Sequence, residues 1–240
     1  MFRKACLFVA VVAAVVILGA CATFGTYETA QTTARGKFGF GGAITPVHVS
    51  GDTNGISSQL LPLPEISGKL GVSDNFELGA RWGFGPGMTL TGKYCFRRGP
   101  LDAAFVTYGS LYGMAMEGVS LWIYGVNPRV IVSREAADVF PFSASAGLGF
   151  SGVGAGVEGQ TASGSVLSAV AGFGLPFRVG EQRDVRFMPE VSLSLPIVSS
   201  FQAGGSTGTT SLLGNYSMSL GVGFGFAPQP ATPTSPDWGR

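Results

Sequence analysis

The sequence predicts an all-β chain: an antiparallel, up-and-down β-barrel that spans a membrane, with about ten strands and with eight or twelve as the alternatives, after an N-terminal signal helix. Three observations lead there. Charged residues are only 12% of the 240 residues, against roughly a quarter in ordinary soluble domains, while Gly (38) and Phe (18) are abundant. No stretch after the N-terminus approaches the roughly 20 consecutive apolar residues of a spanning helix. Ten segments instead alternate apolar with small residues, and transmembrane strands need only about ten alternating residues each.

The segments lie near 35–47, 59–71, 76–84, 88–97, 103–112, 119–133, 139–151, 164–179, 185–198 and 213–226. In the third, Phe76, Leu78, Ala80, Trp82 and Phe84 share one face; Glu77, Gly79, Arg81 and Gly83 share the other. In the seventh, Phe140, Phe142, Ala144, Ala146, Leu148 and Phe150 oppose Ser143, Ser145, Gly147 and Gly149. In the tenth, Tyr216, Met218, Leu220, Val222, Phe224 and Phe226 oppose serines and glycines. A soluble sandwich also alternates, but its solvated face favours charges. A crowded, curved barrel interior favours small residues.

Strand charges all fall on the small-residue face: Lys37, Glu65, Lys69, Glu77, Arg81, Lys93, Arg97, Arg129, Arg178, Arg186 and Glu190. A charge facing lipid at the bilayer midplane costs about 2–4 kcal/mol, which enforces such parity. Eight of these interior charges are basic and three acidic, so an open lumen would favour anions. The connections also alternate. Turns near 72–75, 98–102, 134–138 and 180–184 are short, whereas the opposite connections include long Gly/Ser/Thr-rich loops at 48–58, 152–163 and 199–212. Aromatics gather at strand ends, with Phe76, Phe140, Phe142, Phe224 and Phe226 toward the turns and Trp82, Phe84, Phe150 and Tyr216 toward the loops. Two aromatic girdles suit the two membrane interfaces.

Residues 1–20 read as a signal peptide, with a basic Met1-Phe2-Arg3-Lys4 start and an apolar run to Ala20. The run ends in Leu18-Gly19-Ala20-Cys21, which resembles the lipobox of bacterial lipoprotein precursors. That resemblance implies cleavage before Cys21, a covalent lipid such as palmitate on its thiol, and the lipoprotein export machinery as a partner. Ala22 after the Cys resembles the pattern of lipoproteins sent to the outer membrane. Cleavage would leave 13 basic against 14 acidic residues, net −1. Cys95 would then be alone, with no intrachain disulfide to form. Residues 21–34 are small and polar and read as a lipid-anchored tether, with the lipid tying the N-terminus to the inner leaflet beside the first strand. The barrel spans 35–226. Residues 227–240, with four prolines, read as a disordered tail.

The strand from Tyr216 to Phe226 resembles the closing strand of bacterial outer-membrane barrels, with its terminal aromatic. The resemblance implies outer-membrane lipid and the barrel-insertion machinery as partners. Oligomeric state is open. Balanced charge argues against nucleic acid.

The chemistry expected is sparse. A three-residue turn at 72–74 would pair positions so that Glu65 faces Arg81 and Lys69 faces Glu77. With Lys93, Arg129, Arg186 and Glu190 these form a lumen charge network, either a structural filling or the selectivity element of a narrow pore. His48, the one histidine, stands at the loop-side rim with Ser50 and Asp52. Ten-stranded outer-membrane proteases of the omptin type also combine a His with rim acids, but the other loops here offer only Glu117 and Glu158, so no catalytic residue is assigned. One His and one remaining Cys make no metal site, and no cofactor is expected beyond the lipid. The function expected is a non-catalytic envelope component, structural or a narrow channel for small solutes. The alternatives are a rim-active protease or lipid hydrolase, a loop-mediated surface adhesin, and a periplasmic soluble β-domain on a lipid tether.

Overall fold

The computed structural model describes residues 26–52, 55–83, 88–116, 119–135, 140–157, 160–179, 185–203, 206–211, 216–226 and 228. For 46–52, 55–63 and a few hairpin residues the backbone alone is described. The signal peptide, Cys21, most of the tail, Phe84, Glu117 and Glu158 lie outside the described residues.

The strands, in chain order, are β1 (Phe38–Asp52), β2 (Gly55–Gly71), β3 (Phe76–Gly83), β4 (Met88–Arg97), β5 (Asp102–Met116), β6 (Val119–Arg134), β7 (Phe142–Val157), β8 (Gln160–Gly174), β9 (Phe177–Val179), β10 (Val185–Ala203), β11 (Ser206–Ser211) and β12 (Tyr216–Phe226). β1 to β8 pair antiparallel in chain order, β8, β9 and β11 each pair β10, and β12 pairs both β10 and β1. The sheet therefore closes on itself. Because β9 prolongs β8 along β10, and β11 and β12 lie along the two halves of β10, the wall is a closed antiparallel barrel of ten strands. Closure leaves no free edge, which is what a sheet in lipid requires. At the seam Phe40 lies opposite Phe226 with ring centroids 5.6 Å apart.

Side chains alternate about this wall as their sequence parity dictates. Leu78, Leu90, Phe105, Val130, Leu148, Val191 and Leu220 point outward and are exposed. Lys93, Arg129, Arg186, Glu77 and Glu190 point inward and are buried. An apolar outside around a polar inside is the arrangement of a transmembrane barrel. Exposed aromatics lie near both ends of the strands: Phe38, Phe40, Tyr94, Phe96, Phe140, Phe187 and Phe224 toward the turns, and Trp82, Trp122, Tyr124 and Phe150 toward the loops.

Two expectations about connections change. The supposed long loops at 48–58, 152–163 and 199–212 are mostly strand. β1 and β2 stay paired to Asp52↔Gly55, and β7 and β8 to Val157↔Gln160. Apolar alternation stops where the lipid stops, but backbone pairing needs no apolar residues and continues through Gly, Ser and Thr. The asymmetry of the two ends is therefore an overhang of paired strands. In the β2–β3 hairpin, Val72 N and Ser73 N donate to Phe76 O at 2.9 and 3.1 Å. This four-residue turn sets Ser67↔Arg81 and Gly71↔Glu77, so Glu65 does not face Arg81 and Lys69 does not face Glu77. A shift of two residues keeps every side chain on its expected face.

Prolines mark irregularities. The ladders of β1 shift register around Pro46, and that of β10 with β8 shifts after Pro196. A residue without an N–H is tolerated at such bulges.

The largest departure is at the N-terminal end. Residues 26–34, expected as a solvated tether, run inside the barrel. Thr26, Tyr27, Glu28, Thr29, Ala30, Thr32 and Thr33 are all buried. Short polar residues suit water outside a domain, and they equally suit a lumen lined by charges and hydroxyls. Composition alone does not separate the two.

Candidate functional site: a plugged lumen

Residues 26–34 enter the wall sequence through a turn. Ala34 O accepts from Lys37 N at 2.9 Å, and Ala34 N donates to Pro228 O at 2.9 Å. Arg35 bridges to Gly71, and β1 then rises along the wall. The plug lies where the wall makes room. A Cβ on Gly223 would stand 2.6 Å from Tyr27 Cβ, and one on Gly221 would collide with the Tyr27 hydroxyl. The glycine face of β12 is thus a seat for the Tyr27 ring, whose hydroxyl lies 2.7 Å from Thr45 Oγ1.

Glu28 is the electrostatic centre. Its carboxylate lies 2.5 Å from Lys69 Nζ, 3.0 Å from Lys93 Nζ and 3.2 Å from Arg81 Nη2. Lys93 is shared with Glu77 at 3.0 Å. Ionised groups removed from water are tolerable only when paired and hydrogen-bonded, and this cluster alternates sign throughout. The backbone of Glu28 is held too, as Ser143 Oγ donates to its carbonyl at 2.8 Å.

The other wall carboxylates receive the plug's backbone. Thr26 N and Tyr27 N each donate to Glu190 at 2.6 Å. Thr33 N and Oγ1 each donate to Glu77 Oε2 at 2.6 Å. Ala30 N donates to Ser133 Oγ at 2.9 Å. Arg186 donates to Thr29 Oγ1 at 3.0 Å and to Tyr27 O at 3.2 Å, and Arg81 donates to Thr26 O. A segment without secondary structure thereby satisfies its backbone from the wall. Ala30 packs among Cys95, Ala104, Val106, Tyr108 and Ile131, so Cys95 is a buried packing residue.

The eight expected lumen charges are placed as follows. Lys69, Arg81 and Lys93 converge on Glu28, and Glu77 joins through Lys93. Arg186 and Glu190 hold the plug backbone. Glu65 is half-buried beside them and lines a cavity of about 30 Å³ with Tyr27, Arg81 and Arg186. Arg129 lies apart, its Nε donating to Asn127 Oδ1 at 3.0 Å and its Cζ 5.8 Å from the Tyr108 ring centroid. Arg81 lies 5.2 Å from that same centroid. Near the turns, Arg178 pairs with Glu135 at 2.6 Å. His48, Ser50 and Asp52 belong to the loop-side half of β1, with backbone partners Ser219, Ser217 and Gly55; their side chains lie outside the described residues.

The partner missing from the sequence reading is Glu28. Two signals pointed to it. Interior bases outnumbered acids, and Glu28 is the lone charge in 21–34.

No protein-family model matches this sequence, and no curated protein sequence does. Among solved structures, Neisserial surface protein A is similar at 9% identity and TM-score 0.41, covering 79% of this chain and 96% of that one. The outer membrane protease OmpT from Escherichia coli is similar at 8% identity and TM-score 0.48, covering 84% and 100%. Ail, the attachment invasion locus protein of Yersinia pestis, is similar at 13% identity and TM-score 0.37, covering 79% and 96%.

Proposed function

We propose that this chain is an outer-membrane β-barrel lipoprotein, a non-catalytic envelope component whose lumen is stoppered by its own N-terminal segment. The observation that carries the reading is Glu28 within the cluster of Lys69, Arg81 and Lys93. A segment fixed by that many charged bonds occupies the turn-side part of the lumen, which supports a stopper. The apolar outer belt supports membrane insertion, and Leu18-Gly19-Ala20-Cys21 supports acylation. Rim catalysis is not part of this reading.

Planar-bilayer recording tests the stopper. The intact protein should give no discrete channels. A protein with Glu28→Ala and Tyr27→Ala should give channels that prefer anions, because Lys69, Arg81, Lys93, Arg129 and Arg186 then outnumber Glu65, Glu77 and Glu190. Steady conductance from the intact protein would favour the narrow-channel reading. Incorporation of a clickable fatty acid, lost in Cys21→Ala, tests acylation separately.

A further inference from the structure

Three buried polar atoms on adjacent strands have no hydrogen-bond partner: the Tyr108 hydroxyl on β5, Nη1 of Arg129 on β6 and Oγ of Ser145 on β7. Their residues are 8%, 2% and 8% exposed. The ladders hold them on one patch of the inner wall. Tyr108 faces Asn127 across β5–β6, and Arg129 faces Gly147 across β6–β7. Ser145 faces Ile131, the inward residue next after Arg129. The Arg129 guanidinium carbon lies 5.8 Å from the Tyr108 ring centroid, and Ala30 of the plug belongs to the same buried cluster as Tyr108.

A buried donor without a partner is costly, and a buried charge more so. Arg129 is the least matched of the inward charges. Lys69, Arg81 and Lys93 share Glu28 and Glu77. Glu190 is already committed: one oxygen accepts from Thr26 N and Ser192 Oγ, the other from Thr26 Oγ1 and Tyr27 N. Arg186 donates to Thr29 Oγ1 and Tyr27 O. Arg129 forms no ion pair among the described residues, and its guanidinium donates from Nε alone, to Asn127 Oδ1. Around the plug, the cations Lys69, Arg81, Lys93, Arg129 and Arg186 outnumber the acids Glu28, Glu65, Glu77 and Glu190 by one.

We infer that Arg129 and Tyr108 form a binding site for a small carboxylate solute, reached from the loop side of the lumen. One surplus positive charge suits a monoanion. With Nε held by Asn127, the outer nitrogens of Arg129 are left for a carboxylate, and the Tyr108 hydroxyl donates to the same group; such charge-assisted bonds are the strong ones. Contact with the Tyr108 ring steadies the guanidinium, and Ser145 supplies a further hydroxyl one step along the wall. Exposure rises from this patch toward the loops: from Tyr108 to Ser110 along β5, and from Ser145 to Ser151 along β7. Ser110 faces the lumen, since its Oγ lies 2.9 Å from where a Cβ on Gly125 would stand, and Ser151 is the ladder partner of Gly125. On the turn side the plug occupies the lumen. The site belongs to the wall and does not depend on acylation of Cys21.

Saturation-transfer NMR on the full chain in deuterated micelles tests the site with acetate as the probe. Each variant is first shown to be folded by the heat-dependent gel shift. The expected result is saturable acetate binding that weakens roughly tenfold or more in Arg129→Gln and measurably in Tyr108→Phe, which keeps the ring and removes only the hydroxyl. Lys37→Gln, which removes an exposed charge near the turns, should leave it unchanged, and acetamide, similar in shape but neutral, should not compete. No saturable binding by the parent, or binding that survives both Arg129→Gln and Tyr108→Phe, overturns the proposal. Binding of phosphate that depends on Arg129 and excludes acetate overturns the carboxylate assignment. If Arg129→Gln fails to fold, Tyr108→Phe decides alone: unchanged acetate binding there overturns the site.

Discussion

Glu28 and Lys93 meet at 3.0 Å inside the barrel, each with 3% of its side chain exposed. One belongs to the N-terminal plug and the other to the wall, so this contact joins the two parts of the molecule. Truncating one partner of a buried pair costs about 3–5 kcal/mol, because the other charge is left desolvated. Glu28→Ala should fall at the lower end, since Glu77 still accompanies Lys93. Urea unfolding in micelles, followed by Trp fluorescence, reads the loss. Adding Lys69→Met should recover part of it, as one of the orphaned cations is gone. Equal stability of Glu28→Ala and the parent would contradict the arrangement.

Gly223 is predicted to be intolerant for a reason that lies outside the sheet. A Cβ there meets Tyr27, so Gly223→Val should cost about 1–3 kcal/mol by overpacking and open the plug to chymotrypsin at Tyr27. Mass spectrometry of the digest reads the cut. Gly109→Ala, where the added carbon meets nothing within 4 Å, should leave Tyr27 protected. Combining Gly223→Val with Tyr27→Ala should cost less than the sum of the two, the signature of a direct contact.

The lipid-facing wall makes a depth-dependent prediction. Leu148 is outward and exposed, six residues from the turn end of β7. At a rise of about 3.3 Å per residue and a tilt near 40°, this is about 15 Å along the barrel axis, close to mid-membrane. Phe201, sixteen residues into β10, is about 40 Å along by the same measure, beyond a 25 Å band. Leu148→Arg should cost about 2–4 kcal/mol and Phe201→Arg no more than about 1. Reversible folding into phosphatidylcholine vesicles measures both. Equal costs would contradict the placement of the belt.

The wall was legible in the sequence because lipid imposes a period of two on every strand that crosses it. β4 occupies the expected 88–97, and Lys69, Glu77, Arg81, Lys93, Arg129, Arg186 and Glu190 all face inward. Hairpin register was less legible. Glu65–Arg81 and Lys69–Glu77 were attractive charge pairs, but Glu28 supplies the negative charge that Lys69 and Arg81 needed. The strand overhangs were missed because Ser57, Ser163 and Thr207 carry no periodic signal outside lipid. The plug was missed for a related reason. Thr26, Thr29 and Thr33 acquire their role from Glu190, Arg186 and Glu77, more than forty residues away in each case.

Burial of Ala30 tests the central claim most directly, since a solvated tether and a lumenal plug differ most there. In a Cys95→Ser background, Ala30→Cys and Lys37→Cys are treated with a small maleimide in micelles, after the heat-dependent gel shift has shown both to be folded. Ala30 is fully buried and Lys37 exposed. The plug predicts that Lys37→Cys reacts at the rate of the unfolded chain while Ala30→Cys is protected until urea unfolds the barrel. Equal, rapid labelling of both positions in the folded protein would contradict it.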